Sequence, residues 1–112
     1  MSELIKNSEE KCECISIRPA ADVVETPDGM EITFEIPGVP PEQAELEIKD
    51  RLLTMTARSS LHRRGLPIVF RRAFYLSDAV NASEITAKAA DGLLTVRLPK
   101  AENAKTYRIP VK

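Results

Sequence analysis

The chain has a single histidine, His62, and that scarcity removes most enzyme chemistry at the outset. A Ser–His–acid or Cys–His arrangement needs an imidazole base held by the fold. His62 stands instead in a basic stretch, Leu61 to Pro67, with no catalytic neighbour in sequence, so an exposed loop histidine is expected. Glycine is almost as scarce. There are four in 112 residues, and neither GxxxxGK[ST] nor GxGxxG occurs, so no phosphate cradle is expected. The two cysteines, Cys12 and Cys14, sit close together near the N-terminus. A disulfide framework needs more of them spread through the chain, and a structural metal needs about four ligands. Reduced thiols on a mobile arm are the expectation, with a redox-sensitive cross-link between subunits as the alternative. No metal, cofactor or catalytic residue is expected.

Tryptophan is absent, and three Phe with two Tyr leave few platforms on which nucleic-acid bases could stack. No apolar run approaches the ~20 residues that a membrane-spanning helix requires. Met1 to Lys11 is polar and unlike a signal peptide, so a cytoplasmic protein is expected. At 112 residues, 43% of them hydrophobic, the chain is one domain with a core of its own.

Charge is nearly balanced overall, at −1, but unevenly placed. Residues 1–50 carry 13 acidic and 4 basic side chains, a balance of −9; residues 51–112 carry 4 and 12, a balance of +8. A basic half raises nucleic acid as a partner, through Arg63, Arg64, Arg71 and Arg72, and a salt-dependent shift would reveal it. The favoured reading is that acidic and basic strands neighbour one another in a sheet, with no nucleic-acid partner.

The dominant period is two. In Met30-Glu31-Ile32-Thr33-Phe34-Glu35-Ile36 every even position is apolar and every odd one polar, as in a half-buried strand. Ala44 to Lys49 repeats the pattern with Leu46 and Ile48 inward, and Leu53 to Ala57 follows after Asp50-Arg51, close enough for a hairpin. Phe70 to Leu76 carries Phe70, Phe74 and Leu76 on one face, interrupted by Arg72. Ile85–Ala89 and Leu94–Leu98 flank Asp91-Gly92, a dipeptide suited to a type I′ turn. Pro37-Gly38-Val39-Pro40-Pro41 and Pro99 end strands, because proline cannot donate to a ladder. With Ala20–Glu25 the count is seven strands, which predicts an all-β antiparallel sandwich. Helix is limited to a turn near Pro41–Ala44 and another near Ala82–Glu84. The carboxylates Glu31, Glu35, Glu45 and Glu47 alternate toward solvent, where they keep a sheet soluble rather than perform acid–base work.

The reading divides the chain into a short flexible arm (1–18), a sandwich (19–100) and a C-terminal extension (101–112). The extension ends Tyr107-Arg108-Ile109-Pro110-Val111-Lys112. When extended, it projects Ile109 and Val111 from one face with Pro110 stiffening the backbone between them. That is either a plug for an apolar groove at a sheet edge or a last strand on the domain's own core.

Four passages, taken in order, resemble the small heat-shock protein family, whose core is the α-crystallin domain. Pro19-Ala20-Ala21-Asp22-Val23-Val24-Glu25-Thr26 looks like its opening strand, and Phe34-Glu35-Ile36-Pro37-Gly38-Val39 is similar to its P-G strand end. Ala90-Asp91-Gly92-Leu93-Leu94-Thr95-Val96-Arg97-Leu98-Pro99-Lys100 resembles its most diagnostic stretch, and Ile109-Pro110-Val111 its C-terminal anchor. The resemblance implies an immunoglobulin-like β-sandwich, and a chaperone that holds unfolding client proteins without ATP and assembles from dimers into homo-oligomers. It also implies that Ile109 and Val111 dock in a neighbour's groove lined by Leu46, Ile48, Ala87 and Ala89, and that Arg72 lies at or near the dimer interface. Between Arg58 and Phe70 the chain has only Ser59 to Val69, shorter than the strand-exchanging loop of bacterial and plant members, so dimers are expected to form by direct pairing of edges or faces, or else to be weak. The arm Met1–Arg18 lacks the aromatics usual in the family, and Ser77 stands where proline is common. The alternative is a p23-like co-chaperone or scaffold binding folded partners, which typically ends in an acidic tail rather than an Ile-Pro-Val anchor.

Overall fold

A computed structural model describes residues 13–101 and 109–112. Eight strands form two four-stranded sheets: β1 (Ile15–Ile17), β2 (Ala21–Thr26), β3 (Gly29–Glu35), β4 (Ala44–Lys49), β5 (Leu52–Arg63), β6 (Leu66–Tyr75), β7 (Thr86–Ala90) and β8 (Leu93–Pro99). One sheet has the order β1-β6-β5-β4, the other β2-β3-β8-β7. Every pairing is antiparallel except β1 with β6. The expected all-β sandwich is the one observed, with single 3-10 turns at Pro41–Gln43 and Ala82–Glu84.

Alternation places the core. Ile32 and Phe34 of β3 face Val96 and Leu94 of β8 in register, and all four are buried. From the other sheet come Leu53, Met55 and Ala57 of β5, with Phe70 of β6 opposite Ala57. The rings of Phe34 and Phe74 meet across the two sheets at 6.0 Å, tilted by 48°. Between the sheets the cluster is continuous, as a sandwich requires. On an outer face Glu31 pairs in register with Arg97 at 3.5 Å, one place where an acidic strand does lie beside a basic one.

Two turns have the positive φ angles that tight hairpins need. Asp91 and Gly92 lie at 52° and 77°, as their composition led one to expect. Asp50 and Arg51 adopt the same conformation, at 52° and 66°, without a glycine. Arg51 is held there by the loop after β6. Its backbone carbonyl accepts from Leu76 N at 2.8 Å, and its guanidinium donates to the carbonyls of Leu76 (3.2 Å), Ser77 and Val80 (3.0 Å).

Two expectations are corrected. Leu61 to Pro67 is not a loop: β5 and β6 run on as a long hairpin closed by Arg64-Gly65, both at positive φ. A bulge between Arg58 and His62 in β5 makes this possible by turning the hairpin without ending it. Nor is the chain before Pro19 wholly an arm, because β1 pairs Ile15, Ser16 and Ile17 with Ile68, Val69 and Phe70. The Ile–Ser–Ile triplet was too short to read as a strand by periodicity, and Ile17 packs against the core. Cys14 is half-buried just before β1; Cys12 lies outside the described residues.

Candidate docking groove and interface residues

β4 closes one sheet and β7 closes the other. The 3-10 turn leading into β4 touches β7, so the two edges lie at the same end of the sandwich. In antiparallel pairs, residues directly opposite share a face. Leu46 and Ile48 stand opposite Met55 and Leu53, both fully buried, so they occupy the inner face of β4. By the same reasoning Ala87 and Ala89, opposite Val96 and Leu94, occupy the inner face of β7. The structure therefore turns all four expected groove residues toward the space between the sheets.

They are incompletely covered there. Leu46 and Ala89 pack against the core but stay half-buried, Ile48 is 36% exposed, and Ala87 is exposed. The reason is positional. Each lies on the last strand of its sheet, with no strand beyond it among the described residues. The result is incompletely covered apolar surface on two strands, each with an unpaired backbone edge.

Ile109 and Val111 are 82% and 93% exposed, and their segment forms no strand. They do not pack on their own domain. Tyr107 and Arg108 lie outside the described residues.

Arg72 lies opposite Met55 and therefore on the inner face of β6, at the other end of the sandwich. Its Nη1 donates to the carbonyl of Pro19 at 2.7 Å, and its guanidinium sits 5.1 Å from the Phe74 ring centroid. Within the chain Arg72 thus ties β6 to the segment where the backbone crosses from β1 into β2. Its Nε is buried without a hydrogen-bond partner. β1 covers the edge of β6 only at Ile68–Phe70, and Arg71 to Tyr75 has no strand on that side among the described residues.

At this same end sequence reasoning passed over the outer edge of β2, where Val23 and Val24 are 52% and 56% exposed. Two consecutive valines on a strand must point to opposite faces, so one always faces outward; that was the available signal. His62 is exposed near the hairpin tip, with Nδ1 3.2 Å from the Ser60 carbonyl. No group of three or more His, Cys, Asp or Glu among the described residues could hold a metal ion. No helix among them is long and apolar enough to cross a membrane.

Sheets closed by β4 and β7, a P-G strand end, the Asp91-Gly92 hairpin and an exposed Ile-Pro-Val tail define an α-crystallin type of sandwich. The chain belongs to the Hsp20/alpha crystallin family, whose model matches residues 22–112. It is 33% identical to an 18 kDa heat shock protein of Streptomyces albus G, over 84% of this chain and 75% of that protein. To small heat shock protein C2 of Rickettsia felis it is 28% identical, over 84% and 68%. Among solved structures it superposes on a small heat-shock protein from Xylella fastidiosa with a TM-score of 0.67. The identity there is 25%, and 86% of this chain and 97% of the other are covered. Heat shock protein 16.0 from Schizosaccharomyces pombe gives a TM-score of 0.66 at 26% identity, over 87% and 77%. Membership of this family supports a chaperone role.

Proposed function

We propose that the protein is an ATP-independent holdase, which binds unfolding polypeptides through apolar surface and keeps them from aggregating. The observation that carries this reading is the pairing of incompletely covered apolar residues on the inner faces of the edge strands β4 and β7 with a tail whose two aliphatic side chains stand exposed. In one chain neither is satisfied; in an assembly each satisfies the other. Ile109 and Val111 of one subunit plug the Leu46, Ile48, Ala87 and Ala89 slot of a neighbour, by strand addition to a bare edge. Clients compete for the same kinds of apolar surface, and binding shifts their equilibrium by mass action without turnover.

The test is light scattering of a heat-labile protein with and without this chain. Suppression should saturate at a fixed ratio of chaperone to client and should not respond to ATP. A requirement for ATP, or protection of many client molecules per chain, would exclude the holdase.

Dimers form at the opposite end, where β2 and the Arg71–Tyr75 stretch of β6 are open and Arg72 lies between them. They form by direct contact, because the residues that would be exchanged are already paired within their own hairpin. Leu66 and Pro67 register with Arg63 and His62 of the same chain. In a crystal structure of the assembled protein, Leu61–Leu66 should still lie in its own hairpin. A density trace carrying that segment into a neighbour's sheet would overturn this mode.

A further inference from the structure

The slot has a charged rim. On the outer face of β4, alternating with Leu46 and Ile48, stand Glu45 and Glu47. Both are exposed, and their cross-strand partners on β5 are Thr56 and Thr54, which cannot neutralise them. Neither forms an ion pair among the described residues. Two successive outward positions place these carboxylates about 7 Å apart along the rim. Glu42, in the turn before β4, is exposed as well. On the same outer face Arg58 lies diagonal to Glu45 on β5 and Arg71 stands opposite Thr56 on β6; Lys49 ends β4 and is followed by Asp50, and Lys88 lies on the outer face of β7.

The plug is bracketed in sequence by cations, Arg108 before Ile109 and Lys112 after Val111. A strand alternates its faces. If the tail adds to β4 with Ile109 and Val111 inward, residues 108 and 112 must lie on the outer side, the side on which β4 presents Glu45 and Glu47.

We propose that Glu45 and Glu47 are specificity determinants of the docking site, which select an aliphatic plug flanked by basic residues, namely the tail of a second copy of this chain. This inference rests on the docking proposed above and adds a charge code to it. Aliphatic pairs flanked by neutral or acidic residues fit the slot by shape but meet two uncompensated carboxylates at its rim. Lys49 sharpens the selection by repelling registers that bring a tail cation against it. The unequal charge of the two halves of the sequence then has a structural meaning. Acidic rim and basic tail come from opposite halves of the chain and meet between subunits.

The experiment measures the dissociation midpoint of the full-length assembly, by mass photometry over a dilution series. The variants are Glu45→Lys with Glu47→Lys, Arg108→Glu with Lys112→Glu, all four changes together, and Ile109→Ala with Val111→Ala. Circular dichroism checks the fold of each. Each charge-reversed pair should dissociate at a concentration about tenfold higher or more, since it replaces cross-strand attraction by repulsion. The fourfold swap should recover most of that loss. Salt near 1 M, where the Debye length is about 3 Å, should weaken the wild-type assembly and strengthen each reversed pair. If rim reversal leaves the midpoint unchanged while the aliphatic double variant dissociates, the charge code is wrong and plug docking stands. If the fourfold swap is as weak as the reversed pairs, the charge code is likewise overturned. If the aliphatic double variant keeps its mass, both fail.

Discussion

Replacing Ile109 and Val111 together with alanine should reduce the assembled particle to dimers and leave the β-type circular dichroism spectrum unchanged. In the single chain these side chains are 82% and 93% exposed, so docking removes nearly all of their surface from water. Burying a branched aliphatic side chain contributes roughly 1.5–3 kcal/mol. Two of them contribute several kcal/mol per docking, from which ordering an extended tail subtracts about 0.5–1.5 kcal/mol for each immobilised side chain. A few kcal/mol remain. Each factor of ten in association takes about 1.4 kcal/mol, so the assembly constant should fall by two orders of magnitude or more. The sandwich does not share in the loss, because neither residue touches its core. Analytical ultracentrifugation with a parallel thermal melt separates the outcomes. A lighter particle with an unchanged melting temperature is the expected result. An unchanged mass would refute docking, and a lowered melting temperature would mean that the tail stabilises its own domain.

Much of this architecture was legible because burial on one face imposes a period of two on a strand. Met30 to Ile36, Ala44 to Lys49 and Leu94 to Leu98 alternate cleanly, and each forms a strand within a residue or so of the expected bounds. Asp91-Gly92 announced its turn through backbone chemistry alone. The failures share another cause. Leu61 to Pro67 lies where the hairpin extends past the sandwich, and most of it has no core face to impose a pattern. Its strands are held by pairing with each other, which leaves little trace in composition. Ile15–Ile17 is ordered by the edge of β6, some 50 positions later in the chain. Arg51 looked like an ordinary turn residue, and nothing local shows that three distant carbonyls take up its guanidinium. Of the candidate site, the plug and the inward positions of β4 and β7 could be read from alternation and resemblance. That the two strands lie at the same end of the sandwich came from the resemblance alone, since alternation does not say which sheet each joins.

Gly38→Ala should be among the most destabilising single changes of one methyl group in this chain, for reasons that a P-G motif does not disclose. Gly38 has φ of 79°, a conformation that costs an L-residue roughly 1–2 kcal/mol. Space adds a second term. A Cβ there would lie 2.5 Å from Ser59 Oγ and 2.7 Å from Leu61 Cγ, both in the β5 bulge. That bulge is fastened to this turn: Ser59 Oγ donates to the Pro37 carbonyl at 2.8 Å, and Ser60 N donates to the Gly38 carbonyl at 2.8 Å. Ser59 Oγ in turn accepts from Leu61 N at 3.0 Å, and Ser59 is the one buried polar side chain among the described residues. Pushing the bulge away strains or breaks these bonds, at about 1 kcal/mol each. The sum is about 3–5 kcal/mol against a total stability of roughly 5–15 kcal/mol for a domain of this kind. At roughly 4 °C per kcal/mol, the melting temperature should fall by more than about 10 °C. A double-mutant cycle identifies the cause. Ser59→Ala alone should cost about 1–2 kcal/mol through the lost bonds, but it also removes the nearer of the two colliding atoms. The double variant Gly38→Ala with Ser59→Ala should therefore lose clearly less than the sum of the single losses, as expected for residues in contact. If the two losses simply add, the bulge is not what crowds this turn, and only the backbone conformation calls for glycine there.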